Sequence, residues 1–76
     1  MSVKMFCYFV MKPDGSIAPL PDGDDWKKFS CLPLFQTQRF AEAKKPFGVN
    51  CWLDEIELEE ALQFVLDGHV RTLRIF

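Results

Sequence analysis

Residues that do chemistry are scarce in this sequence. It holds one His, and its three Cys stand far apart, at Cys7, Cys31 and Cys51, with no C-x-x-C pair. An odd number of thiols cannot close into a complete set of internal disulfides, and small secreted domains are usually denser in bridges. The thiols therefore read as reduced, and the chain as intracellular and cytoplasmic. A zinc site of three Cys and one His would need Cys7, Cys31, Cys51 and His69, but no two of these are closely spaced, as the knuckle of a structural zinc site requires. A catalytic thiol needs a base, an orienting group and a closed pocket, which is much to ask of so short a chain. The expectation is a protein that is not an enzyme and takes no cofactor and no metal.

Long apolar runs are missing as well. Met5 to Met11 is too short to span a bilayer, and Lys12-Pro13-Asp14 follows it without a small-residue cleavage site, so neither a membrane segment nor a signal peptide is expected. Ser2 is not the Gly of a myristoylation signal, and no Cys lies near Phe76. Asp22, Asp24 and Asp25 do not follow the order of an EF-hand calcium loop and read as solvated turn residues. Positive charge is in short supply too: nine Lys and Arg face eleven Asp and Glu, for a net charge of −2. That balance weighs against binding nucleic acid through its phosphates. No repeat, low-complexity tract or linker divides the chain, which reads as a single domain over residues 1–76.

What the sequence does have is rings. Eight Phe, two Trp and one Tyr are packed into 76 residues. Each brings roughly 150–250 Å² of surface to hide, whereas a domain of this size buries only ~60% of its unfolded surface. Some rings are expected at the surface, where a contiguous apolar patch marks a contact site.

The apolar pattern predicts an α+β fold. Residues 3–11 read as a strand with both faces apolar: Val3, Met5, Cys7 and Phe9 on one, Phe6, Tyr8 and Val10 on the other. Such a strand belongs at the centre of a sheet. Lys12 to Ser16 is a turn built on Pro, Asp and Gly. Residues 16–20 return as an edge strand, because Pro19 lacks an N–H. Residues 36–45 are a candidate short helix stopped by Pro46. Residues 55–67 are the dominant helix, with Asp54 and Glu57 in capping-box spacing, Leu58, Ala61, Leu62, Val65 and Leu66 as its apolar stripe, and Gly68 as its stop. Residues 69–76 close the chain as a third strand, expected beside the first in a small, mostly antiparallel sheet.

The surplus rings point to a non-enzymatic protein-interaction module, of the kind found among small regulators and mobile-element accessory proteins, that docks on another protein or on itself. Trp26, Phe29, Phe35, Phe40, Phe47 and Trp52 lie in the irregular middle of the chain, interleaved with Lys27, Lys28, Arg39, Lys44 and Lys45. Loops carry binding residues, and Trp and Phe are favoured at interface cores. The contact candidates are Trp26, Lys27, Lys28, Phe29, Phe47 and Trp52. The alternative is a single-stranded nucleic-acid binder that stacks bases on Phe6 and Tyr8 beside Arg71 and Arg74, although no K/R-G-F/Y-G/A-F-V-x-F/Y strand of the RNA-recognition type is present. A small Cys/His metal or thiol protein is the third reading.

Overall fold

A computed structural model describes residues 3–21, 31–46, 48 and 50–76. Strand β1 spans Lys4–Met11, β2 Ile17–Pro19, β3 Cys31–Leu34, β4 Trp52–Glu57 and β5 Thr72–Ile75; helix α1 spans Gln38–Ala43 and α2 Leu58–Leu66. The α+β class holds, with a three-stranded antiparallel sheet in the order β2-β1-β4. As its two apolar faces predict, β1 is the central strand, and the Pro-bearing β2 is at an edge.

The β1–β2 turn follows from its residues. The Gly15 N–H donates to the Lys12 carbonyl (2.9 Å) and the Lys12 N–H to the Ser16 carbonyl (2.7 Å). Pro13 presets the first bend, and Gly15 takes φ +89°, which a glycine adopts without strain. The Asp14 carboxylate accepts from both the Ser16 hydroxyl (2.6 Å) and the Ser16 N–H (2.9 Å). Those bonds, the hydroxyl's first, hold its carboxyl below the usual range.

The closing strand departs from expectation. It starts at Thr72 rather than at residue 69, and it pairs in parallel with β3, not with β1. Cys31 to Leu34 is itself a strand despite Pro33, so β3 and β5 form a second sheet. Phe6 and Phe35 exchange two backbone hydrogen bonds of 2.8 Å, and these tie that sheet to β1. Both polar groups of Phe6 are used this way, so β3 lies on the side of β1 away from β4. Read across, the strands run β5, β3, β1, β4.

The dominant helix also starts later than expected, at Leu58 instead of residue 55. Asp54 to Glu57 belong to β4, where Ile56 sits opposite Met5 and both are buried. A capping interaction is worth about 1 kcal/mol, while burying one Ile side chain is worth about 1.5–3 kcal/mol before the ladder hydrogen bonds are counted. The strand wins, and the capping box does not form. The Asp54 carboxylate instead accepts from the neighbouring Glu55 N–H (2.7 Å), and Glu57, at the N-cap, makes no side-chain cap bond. The other end of α2 is as predicted. Gly68 has φ +80°, its N–H bonds the Val65 carbonyl (3.1 Å), and the His69 N–H bonds the Phe64 carbonyl (3.0 Å). This is a Schellman closure, completed by the His69 ring lying 5.4 Å from the Phe64 ring. Helix α1 is shorter than the expected 36–45 and is capped by the Thr37 hydroxyl, which accepts from the Phe40 N–H (3.2 Å).

Each helix covers one face of the joined strands. On the α2 face, Met5, Cys7, Leu32, Leu34, Ile56, Ala61 and Val70 form the main core. On the α1 face, Tyr8, Phe35 and Ala41 form a smaller one, with Phe6, Leu53 and Phe76 packed around it. The stripe on α2 is narrower than expected. Ala61 is buried and Leu58, Phe64 and Val65 are half-buried, but Leu62 and Leu66 face solvent.

Candidate functional site

Helix α1 is too short to cover its face of the sheet, and what it leaves open is aromatic. Ala41 is the residue that docks: it is fully buried, and its carbonyl accepts a 2.6 Å hydrogen bond from the Tyr8 hydroxyl. Such a buried bond contributes about 1 kcal/mol net and fixes where α1 lies. Phe40, one position back, cannot share that inward direction. It is 44% exposed and leans on the rings behind it. Its ring centroid is 6.1 Å from that of Phe35 and 6.4 Å from that of Phe76, and Phe35 stacks on Phe76 at 5.3 Å. Tyr8 meets Phe35 edge-on from below, at 6.3 Å.

Phe76 is held by two backbone hydrogen bonds. Its N–H donates to the Leu34 carbonyl (2.8 Å), and its carbonyl accepts from the Gln36 N–H (3.1 Å), so the β3–β5 pairing continues through Phe76. Two cations border the rings. Lys44 lies one helical turn beyond Phe40, with its Nζ 5.8 Å from that ring centroid, and Arg74 has its Cζ 5.2 Å from the Phe76 centroid. The result is a ring pair between Lys44 and Arg74, Phe40 exposed and Phe76 half-buried beside it.

The other flank of α1 faces β4 across a shallow, open cleft of about 310 Å³, lined by Tyr8, Gln38, Glu42, Cys51, Trp52 and Leu53 among others. A smaller hollow of about 170 Å³ continues it past Gln38 to Phe6, Asp54 and Glu55. The Gln38 amide donates to the Glu42 carboxylate (3.0 Å). Burial first, then the neighbouring Cys51 and Glu42, raises the Tyr8 phenol above its usual value. The Cys7 thiol is on the opposite face, and burial, reinforced by Asp54 and Glu60, pushes it up to about 12. The three cysteines form no disulfide, and among the described residues no three His, Cys, Asp or Glu side chains gather closely enough to hold a metal ion. Among those residues no helix is long and apolar enough to cross a membrane.

Of the contact candidates read from sequence, Trp26, Lys27, Lys28, Phe29 and Phe47 lie outside the described residues. Trp52 is exposed, at the start of β4 opposite Phe9. Of the nucleic-acid set, Phe6 and Tyr8 belong to the ring cluster on the α1 face, together with Phe76, over which Arg74 lies. Tyr8 is buried but lines the open cleft beside α1, Phe6 is half-buried, and Arg71 and Arg74 are exposed. Phe76 is not among the contact candidates read from sequence, which all come from residues 26–52. The legible signals were Phe40 and Lys44 at helical i, i+4 spacing, and Arg74 and Phe76 at strand i, i+2 spacing. Compared with protein-family models, curated proteins and solved structures, the chain matches none.

Proposed function

We propose that this chain is a non-enzymatic protein-interaction module that docks through the Phe40–Phe76 surface. The observation that carries the reading is that ring pair between Lys44 and Arg74, with Phe40 exposed over half-buried Phe76. Large rings centred in a patch with charges at its border are the composition of an interface. The chemistry points the same way. A thiol pushed up to about 12, as Cys7 is, stays protonated and is a poor nucleophile. Tyr8, whose phenol is raised and already donates to the Ala41 carbonyl, has little to offer as an acid or base.

Photo-crosslinking tests the reading. Benzoylphenylalanine at position 40, in cells that make the protein, is expected to give a discrete adduct with another polypeptide, whether a different protein or a second copy, and the same probe at position 14 on the hairpin is not. Equal, diffuse labelling from both positions would overturn it.

Arg74 stacked near Phe76 favours a second reading, a platform for single-stranded nucleic acid. That reading requires oligonucleotide affinity that falls steeply with salt. Its absence at low salt removes it.

A further inference from the structure

Two exposed apolar surfaces on opposite faces of the sheet differ in the sign of the charge beside them. On the α1 face, Phe40 and Phe76 lie between Lys44 and Arg74. On the α2 face, Glu59, Leu62 and Leu66 recur at i, i+3 and i+7 on the solvent side of the helix. Leu62 is 46% exposed and Leu66 77%, the highest value among the exposed large apolar residues described. Glu59 opens that stripe and Asp67 closes it, with Asp67 accepting from the Gln63 amide (2.8 Å). One surface is aromatic and basic, the other aliphatic and acidic.

We infer that the occupant of the Phe40–Phe76 surface is the Leu62–Leu66 face of a second copy of this chain, in a head-to-tail contact. The inference rests on the docking surface proposed above and names its partner. Charge decides the arrangement. A two-fold contact of α1 face on α1 face sets Lys44 and Arg74 against their own copies, and α2 face on α2 face does the same with Glu59 and Asp67. Like charges across an interface disfavour it, while opposite charges steer and align it. Head-to-tail contact sets Lys44 and Arg74 against Glu59 and Asp67, and rings against leucines. A contact of this heterologous kind leaves one surface of each type free at the ends, so it grows into a ring or an open chain.

Sedimentation velocity over a concentration series tests this with two exposed substitutions. The wild-type protein is expected to form species larger than a dimer, and added salt to weaken them. Phe40→Ser and Leu66→Ser, each alone, are expected to remain monomeric, with the association constant reduced by about ten-fold or more. An equimolar mixture of the two variants is expected to form a one-to-one dimer, because each retains the surface the other has lost. Association abolished by Phe40→Ser but untouched by Leu66→Ser, or the reverse, means a two-fold contact and overturns the inference. A wild-type monomer at every concentration, with folded variants by circular dichroism, also overturns it. If position 40 still cross-links a different protein in that case, the docking surface stands and only its occupant is wrong. If position 40 cross-links nothing, both fail.

Discussion

Cys7 shows how strongly one position can be governed by its surroundings. It lies on the central strand, fully buried against α2, with Asp54 opposite it on β4. Burial disfavours the thiolate, and the nearby carboxylates add to that, so its thiol rises from an ordinary 9.0 to about 12. The sign of the linkage follows. The folded state keeps this proton when the unfolded state has released it, so the contribution to stability is complete below about pH 9 and is lost as pH climbs from there toward the folded value. Stability is expected to fall over that alkaline range, read as a declining urea midpoint. Native-state alkylation at about pH 8 is expected to modify Cys7 much more slowly than Cys51, with the difference vanishing in denaturant. Peptide mass spectrometry checks this, and equal native rates would contradict the burial.

At the scale of the element, α2 shows where local pattern decides and where it does not. Its end is written in the sequence: Gly68 adopts φ +80°, and a Cβ there would meet nothing within 4 Å. The cost of Gly68→Ala is therefore backbone strain alone, about 1–2 kcal/mol. Gly68→Asn is expected to cost less, because Asn tolerates the left-handed region. Comparing the two in urea titrations checks the cause, since a steric effect would rank the larger Asn as worse. The start of α2 is not legible in the same way. Asp54 and Glu57 have the spacing of a capping box, yet the ladder against β1 claims both residues, and this depends on a strand some fifty positions earlier in the chain. Long-range pairing also hid the partner of β5. Residues 72–75 read correctly as a strand, but only the bridge between Phe6 and Phe35 reveals that β3 stands between β5 and β1. The strong local signals were β1, the Pro13-Asp14-Gly15 turn and the Pro19 edge, where the residues themselves restrict the backbone.

For the whole molecule, the balance is between rings and the interior that can take them. The expectation of a surplus led to the loop aromatics, of which Trp26, Phe29 and Phe47 lie outside the described residues. Among the described residues the exposed rings are Phe40 and Trp52, and Phe76 lies half-buried beside Phe40. Phe40 stood among the rings of the middle segment, but which rings stay exposed could not be read there, because it depends on Ala41 taking the inward position on α1 and on β5 pairing with β3. Tyr8 and Phe35 supply the contrast, since both are buried in the same ring cluster. If Phe40 is kept for contact and Phe35 for packing, their truncations separate in stability. Phe40→Ser loses part of two ring contacts, about 1–2 kcal/mol, while Phe35→Ala opens a cavity under α1 and costs about 3–5 kcal/mol. The direct measurement is the urea unfolding free energy of these two variants beside the wild type. A small loss for Phe40→Ser and a loss at least twice as large for Phe35→Ala is the result predicted; equal losses would contradict it and make Phe40 a filler of the core.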